Sequence, residues 1–111
     1  MEVEYTEAFL HQLRRLSRRY PHIRNDVQPV IEQLQAGEIL GEQIPRTGLT
    51  LFKVRVRNRD IQKGKSAGYR LIYYLKTQEK IILVTIYSKS DQGDVDAATI
   101  RRLLTETGVL G

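Results

Sequence analysis

The sequence predicts one α+β domain in which helices cover one side of a mostly antiparallel β-sheet. Two kinds of hydrophobic periodicity support this prediction: apolar residues recur at helical spacing in three segments and alternate with polar residues in others. Their order along the chain predicts a strand, two helices, three strands and a last helix. The chain of 111 residues is long enough for one packed core, so we treat residues 1–111 as a single domain.

The first elements are a short strand and a helix. Met1–Tyr5 alternates apolar and acidic side chains, as a strand does. Thr6 is placed to cap the helix that follows, and Pro21 ends it because proline cannot continue the hydrogen-bond ladder. The apolar face of this helix consists of Phe9, Leu13, Leu16 and Tyr20.

A second helix is indicated by an apolar face of Val27, Val30, Ile31 and Leu34. Asn25 or Asp26 is the expected N-cap, which places Pro29 in the first turn, where its missing N–H costs little. Gly37 is the expected stop. Together, the two helices are interpreted as a helical hairpin.

The second half of the chain predicts the sheet. Glu38–Gly48 shows no period and is interpreted as a loop. Strands are then expected at Thr50–Arg57, Tyr69–Lys76 and Ile81–Tyr87, with a hairpin turn at Thr77–Lys80. Because the third of these strands is almost continuously apolar, we expect it to be covered on both faces.

The last predicted element is a short helix that follows a turn at Asp91–Asp94. Asp96 is its expected N-cap and Gly108 its expected stop. Its apolar stripe consists of Ile100, Leu103 and Leu104.

Composition favours a polyanionic partner. Eighteen Lys and Arg residues against 13 Asp and Glu residues give a net charge of +5. The absence of cysteine excludes disulfides and thiolate nucleophiles and permits a cytoplasmic location. No apolar run approaches the ~20 residues of a membrane span, and the first residues show no signal-peptide pattern. No metal-binding or nucleotide-binding motif occurs, so we expect neither a metal nor a cofactor.

The candidate site is a set of cations that an antiparallel meander would bring to one side of the sheet. It comprises Lys53, Arg55 and Arg57 on one strand, Lys63 and Lys65 in the loop Asn58–Gly68, Arg70 on the next strand, and Lys89 with Ser90 after the last. Glycines in the loop permit close approach of a ligand, and the cations suit phosphate. The alternatives are a solvated sheet face, an edge strand protected against aggregation, and an ordinary hairpin loop. We expect Arg70 to be exposed, so that its replacement by alanine would leave the fold intact.

Three tyrosines on the predicted strands add to this set. Tyr73 shares a face with Leu71 and is expected in the core. Tyr74 shares a face with Arg70, where it could stack on a base or give up a proton. Tyr87, at a strand end, offers the same choice. For each of them, packing is the simpler interpretation.

Three segments resemble toxins of the RelE/ParE superfamily: Lys53–Arg57 (KVRVR), Lys63–Tyr74 (KGKSAGYRLIYY) and Thr85–Ser90 (TIYSKS). The RelE and HigB toxins are the nearest branch, and the element order is similar over nearly the whole chain. The resemblance implies a RelE-like fold and a toxin of a type II toxin–antitoxin pair that cleaves messenger RNA in the A site of the 30S ribosomal subunit. It also implies neutralisation by a cognate antitoxin protein.

The resemblance also carries over site residues by position. The family's basic residues around the scissile phosphate match Arg55 or Arg57, Lys63, Lys65 and Arg70, and Lys89 falls where the family has basic or acid–base residues. Two departures concern the acid and the base. No histidine lies near the predicted sheet, and no tyrosine follows Lys89 in the last helix.

The implied reaction is attack of a ribose 2′-OH on the adjacent phosphate with expulsion of the 5′-oxygen, which requires no metal. We assign charge stabilisation to Arg57 and Arg70. The candidate bases are Lys63, Lys65 and Lys89, the candidate acids are Tyr87 and Tyr74, and the candidate RNA-binding residues are Lys53, Arg55, Tyr74 and Ser90.

Two other functions fit the same sequence. A ParE-like toxin would have the same fold and antitoxin but would inhibit DNA gyrase and catalyse nothing. A nucleic-acid-binding domain without activity, including a toxin that has lost its activity, would also keep a cationic surface. The clustering of the cations favours the ribonuclease.

Overall fold

The computed structural model describes residues 1–61 and 67–110. These residues form a five-stranded mixed sheet and three α-helices, which confirms the α+β class. The strands are β1 (Glu2–Tyr5), β2 (Glu42–Gln43), β3 (Leu51–Val56), β4 (Tyr69–Thr77) and β5 (Lys80–Ser88). The helices are α1 (Glu7–Arg19), α2 (Ile23–Gln35) and α3 (Ala97–Glu106).

The sheet has the strand order β1-β5-β4-β3-β2. Strand β1 is parallel to β5 and the other pairs are antiparallel, so the expectation of a mostly antiparallel sheet is confirmed. The predicted element order lacks β2, which lies inside the segment interpreted as a loop, Glu38–Gly48. A strand of two residues is too short for alternation to reveal it in the sequence.

Several helix ends follow local side-chain chemistry, as predicted. The backbone N–H of Phe9 donates to the Thr6 hydroxyl at 3.0 Å, and that of Thr99 donates to the Asp96 carboxylate at 2.8 Å. Gly37, just beyond α2, has a φ of 92°, a conformation that favours glycine. Local sequence therefore fixes these boundaries.

The start of α2 differs from the prediction. The helix begins at Ile23, so Asn25 and Asp26 lie within it and Pro29 lies in its interior. Asp26 does not cap the helix because its buried carboxylate binds Arg59, pairing with the guanidinium Nε at 2.9 Å and accepting the backbone N–H at 3.1 Å. A tertiary contact has thus replaced the expected local one.

The helices cover both faces of the sheet, so the expectation that they would share one side is wrong. Helices α1 and α2 pack on one face, which we call the hairpin face, against side chains such as Val54 and Leu71. Helix α3 packs on the opposite face, the α3 face, whose buried cluster consists of Leu51, Ile72, Val84, Tyr87, Ile100 and Leu104. The physical reason is that β4 and β5 carry large apolar side chains on both faces, and each face needs a cover.

A β-bulge in β5 adjusts which side chains face α3. Ile72 is paired with Thr85 but the next residue, Tyr73, is paired with Leu83, so Val84 is an extra residue on β5. Val84 and Tyr87 consequently both lie in the cluster on the α3 face, although strict alternation would put them on opposite faces.

Candidate functional site

One surface groove gathers most of the predicted cations. It has a volume of about 530 Å³ and runs along β3, and α2, the chain around β2, β4 and the segment after β5 also line it. We call it the basic groove; its charged lining residues are Glu42, Lys53, Arg55, Arg70, Lys89 and Asp94.

Strand register explains how these cations meet. Arg55 of β3 is paired with Arg70 of β4, and Arg70 is paired with Tyr87 of β5. Paired residues on adjacent strands point to the same face and lie about 5 Å apart. Lys53 precedes Arg55 by two positions and shares its face. The register therefore places Lys53, Arg55 and Arg70 on one side of the sheet, as the predicted meander required.

Arg70 is far less accessible than the sequence suggested. It is 5% exposed, so the expectation of an exposed side chain is wrong. The reason is that β4 lies between β3 and β5 in the centre of the sheet. Its guanidinium donates to the Tyr69 carbonyl oxygen at 3.1 Å. Because loss of a buried charged group disturbs the groups around it, replacing Arg70 by alanine is expected to lower stability as well as function.

The basic groove also contains a carboxylate that binds several of its donors. Asp94 Oδ1 accepts a hydrogen bond from the Tyr87 hydroxyl at 3.1 Å and one from Lys89 Nζ at 3.2 Å. Lys53 Nζ lies 3.5 Å from the same oxygen. Side chains from β3, β5 and the segment after β5 therefore converge on one oxygen of Asp94.

This arrangement sets the protonation of two groups. The hydrogen bonds from Lys89 and Tyr87, together with the charge of Lys53, hold the pKa of Asp94 below its usual range. Burial, and then the hydrogen bond to Asp94, raise the pKa of Tyr87 to about 12. At neutral pH an ionised carboxylate of the groove is thus hydrogen-bonded to a tyrosine that keeps its proton, so Tyr87 can act as a proton donor and not as a base.

Arg57 lies in a neighbouring groove. This second groove, of about 520 Å³, shares Arg55 with the basic groove and is also lined by Arg57, Arg59 and Asp26. Arg57 follows the last residue of β3 and does not line the basic groove. Arg55, and not Arg57, is therefore the arginine paired with Arg70. The sequence had led us to assign charge stabilisation to Arg57 together with Arg70.

Two contacts to α2 hold the turn after β3. One is the ion pair between Asp26 and Arg59. In the other, the Asp60 carboxylate accepts the His22 backbone N–H at 3.1 Å and lies 2.8 Å from His22 Nδ1. These contacts fix the point from which the chain enters the segment with Lys63.

The remaining predicted site residues are not in the basic groove or lie outside the described residues. Tyr74 is half-buried and packs against the cluster on the α3 face. The Ser90 hydroxyl donates to the Ala67 carbonyl oxygen at 3.1 Å, so it joins the segment after β5 to the chain entering β4. Lys63 and Lys65 lie outside the residues that the structure describes.

Sequence reasoning missed Asp94 as a site residue and interpreted it as part of a turn. The signal available was its position five residues after Lys89, beyond the strand that ends the cationic meander. The contact with Lys53, by contrast, joins residues that are distant in sequence. Only the folded chain brings that pair together.

Comparison with models of known protein families finds no match to this chain. Within residues 1–61 and 67–110, no group of three or more histidine, aspartate or glutamate side chains is placed to hold a metal ion. In the same residues, none of the helices combines the length and apolar character needed to cross a membrane.

Proposed function

We propose that this chain is a RelE-like toxin of a type II toxin–antitoxin pair, acting in the cytoplasm as a ribosome-dependent endoribonuclease. Its substrate is messenger RNA in the A site of the 30S subunit, and a cognate antitoxin neutralises it. The reaction is attack of a ribose 2′-OH on the adjacent phosphate, which releases the 5′-oxygen and requires no metal.

The observation that carries this proposal is the row formed by Arg55, Arg70 and Tyr87 across three adjacent strands. Lys53 and Lys89 flank the row in the same groove. A phosphodiester bound there would meet several cations, and the Asp94 carboxylate that lines the groove is hydrogen-bonded to a neutral proton donor, the Tyr87 hydroxyl. Attack of a 2′-oxygen on a phosphate requires cations that stabilise the negative charge and an acid that protonates the leaving oxygen.

Charge stabilisation is the larger of these contributions. Negative charge builds up on the phosphate oxygens as the 2′-oxygen attacks, and a fixed donor aimed at such charge is worth about 3 kcal/mol. Arg70 is well suited to this role because burial among neighbouring side chains restricts its movement. Arg55, directly opposite, supplies a second guanidinium that can bind two phosphate oxygens at once.

Tyr87 is the acid in this mechanism. The leaving 5′-oxygen needs a proton, and the raised pKa of Tyr87, about 12, keeps its proton available at neutral pH. The base is sought among Lys63 and Lys65, because Lys89 Nζ is a hydrogen-bond donor to Asp94. Lysine side chains are ammonium ions at neutral pH unless their surroundings disfavour the charge. A lysine can therefore act as the base only where a neighbouring cation or burial favours its neutral form.

The test is to induce the chain in bacterial cells and map the 5′ ends of cellular RNA. We expect cuts inside translated messages, in phase with codons. Arg55→Gln should reduce the cuts at least about tenfold by removing a phosphate contact. The matched control is Lys76→Gln, which makes the same charge change at an exposed position near the far end of β4.

Two other outcomes would contradict the proposal. Intact messages with a DNA-damage response would identify a gyrase inhibitor of the ParE type. Intact messages without that response would leave a nucleic-acid-binding domain that has no nuclease activity.

A further inference from the structure

Three donors approach Asp94 Oδ1, although the Asp94 side chain lies close to the surface. Tyr87 and Lys89 donate to it at 3.1 and 3.2 Å, and Lys53 lies at 3.5 Å. The Asp94 side chain is 54% exposed, and those of Lys53 and Lys89 are 32% and 35% exposed. Ion pairs with this much solvent contribute little to stability, so replacement of Asp94 is expected to leave the chain folded.

The same three donors are of the chemical types that bind a phosphate oxygen. An anionic oxygen accepts charge-assisted hydrogen bonds from ammonium and hydroxyl groups at about 2.5–3 Å, and several donors can share it. Lys53 and Lys89 also line the basic groove beside Arg55 and Arg70, where a backbone phosphate would lie. A carboxylate that stays ionised at neutral pH is the side-chain group closest in charge to a phosphodiester.

The position of Asp94 in the chain bears on whether its carboxylate can leave the three donors. It lies between β5 and α3 in a segment without helix or strand. Gly93 precedes it, and no atom outside the adjacent residues lies within 4 Å of where a Gly93 Cβ would stand. A side chain at position 93 would therefore meet no packed neighbour.

We propose that Lys53, Lys89 and Tyr87 form a binding subsite for a phosphate oxygen of a nucleic-acid backbone. Asp94 occupies this subsite in the free protein and withdraws when the phosphate binds. The inference rests on the proposed function, because that function is the reason to expect a nucleic acid in the groove. It adds that Asp94 neutralises part of the positive charge of the groove while no phosphate is bound.

The first test measures binding without cleavage. The probe is a single-stranded 2′-deoxyoligonucleotide, which lacks the attacking hydroxyl and so stays intact. Asp94→Asn should bind it roughly fivefold more tightly than the unmodified chain, because a competing and repelling charge has been removed. The matched control is Glu79→Gln, the same charge change in the turn between β4 and β5, roughly 20 Å or more from Arg70 along β4.

A double-variant cycle shows whether the effect runs through the subsite. In a Lys53→Gln background, Asp94→Asn should give a smaller gain in affinity, because one of the donors that Asp94 occupies is already missing. In parallel, titration with inorganic phosphate should shift the Tyr87 ring signal in NMR spectra. Half-saturation should come at a lower phosphate concentration in Asp94→Asn.

The outcomes separate this inference from the proposed function. Equal affinities for Asp94→Asn and Glu79→Gln, or weaker binding by Asp94→Asn, would overturn the subsite, even if cells showed codon-phased cleavage. Tighter binding by Asp94→Asn with messages left intact would uphold the subsite and reject the nuclease. An unfolded Asp94→Asn variant would show that Asp94 is structural and would also overturn the inference.

Discussion

At the scale of single residues, the contact between Tyr87 and Asp94 identifies the Tyr87 hydroxyl as the proton donor next to the groove. The Tyr87 ring is buried on the α3 face and its hydroxyl reaches the carboxylate of Asp94 at 3.1 Å. The ring thus belongs to the core, while the hydroxyl contacts Asp94, a residue that lines the groove. Both interpretations that the sequence left open for Tyr87, packing and chemistry, are compatible with this position.

Tyr87→Phe separates these two roles. Phenylalanine keeps the buried ring and removes only the hydroxyl, so we expect the fold to persist while cleavage falls about 10²- to 10⁴-fold, the usual contribution of a general acid. Cleavage is measured on a pre-assembled ribosome–messenger complex. Tyr74→Phe is the control, since Tyr74 packs in the same cluster whereas it is the Tyr87 hydroxyl that donates to Asp94. Equal losses in both variants would show that Tyr87 is not the acid.

The pH dependence of cleavage gives a second check on the acid. The pKa of Tyr87 is raised to about 12, so the acid form is fully present below that pH and is lost only as the pH rises through it. We therefore expect no fall in kcat/KM between about pH 6 and pH 9 that depends on Tyr87. An alkaline fall in that range that disappears in Tyr87→Phe would contradict the raised pKa.

At the scale of elements, predictions from the sequence succeeded where the signal was local. Thr6 and Asp96 cap their helices as expected because a cap depends on residues two or three positions away. Asp26 has the same cap chemistry, but its partner is Arg59, 33 positions along the chain. The side of the sheet covered by α3 and the contact between Asp94 and Lys53 were likewise decided by residues distant in sequence, which no local pattern encodes.

Gly68 lies where the chain that enters β4 passes close to the end of β3. A Cβ at Gly68 would collide with the carbonyl oxygen of Val56, where the chain entering β4 passes β3. We expect Gly68→Ala to lower the free energy of unfolding by about 1–3 kcal/mol, because backbone must move to make room. Denaturant unfolding measures this change.

The control for Gly68 is another glycine of the same chain. Gly93 has open space where its Cβ would be, and its φ is not positive. Gly93→Ala should therefore change the free energy of unfolding by no more than about 0.5 kcal/mol. If the two variants were equally stable, the close approach of Gly68 to Val56 would not constrain the fold.

At the scale of the whole molecule, helices cover both faces of the sheet, and β3 lies next to the edge strand β2. Helices α1 and α2 cover one face and α3 covers the other, while the two residues of β2 are paired with Phe52 and Lys53. The basic groove runs along β3. With a net charge of +5, the chain presents a cationic surface beside an incompletely paired edge, which favours an acidic protein partner as well as RNA.

The last prediction concerns that partner, the antitoxin of the proposed pair. We expect a segment that orders on binding, and since ordering costs free energy, it must cover a wide surface beside α3 or along the strand edges. Acidic side chains of that segment, or displacement of α3, would then disturb the basic groove. Charge attraction should make association fast at low salt and slower at high salt. Lys53→Gln should slow association at low salt more than Lys76→Gln, which removes the same charge at an exposed position outside the groove. The measurement is co-purification with the product of the neighbouring gene, followed by association rates across ionic strength. Separate elution of the two proteins, or a rate that salt and Lys53→Gln leave unchanged, would contradict a partner steered by this groove.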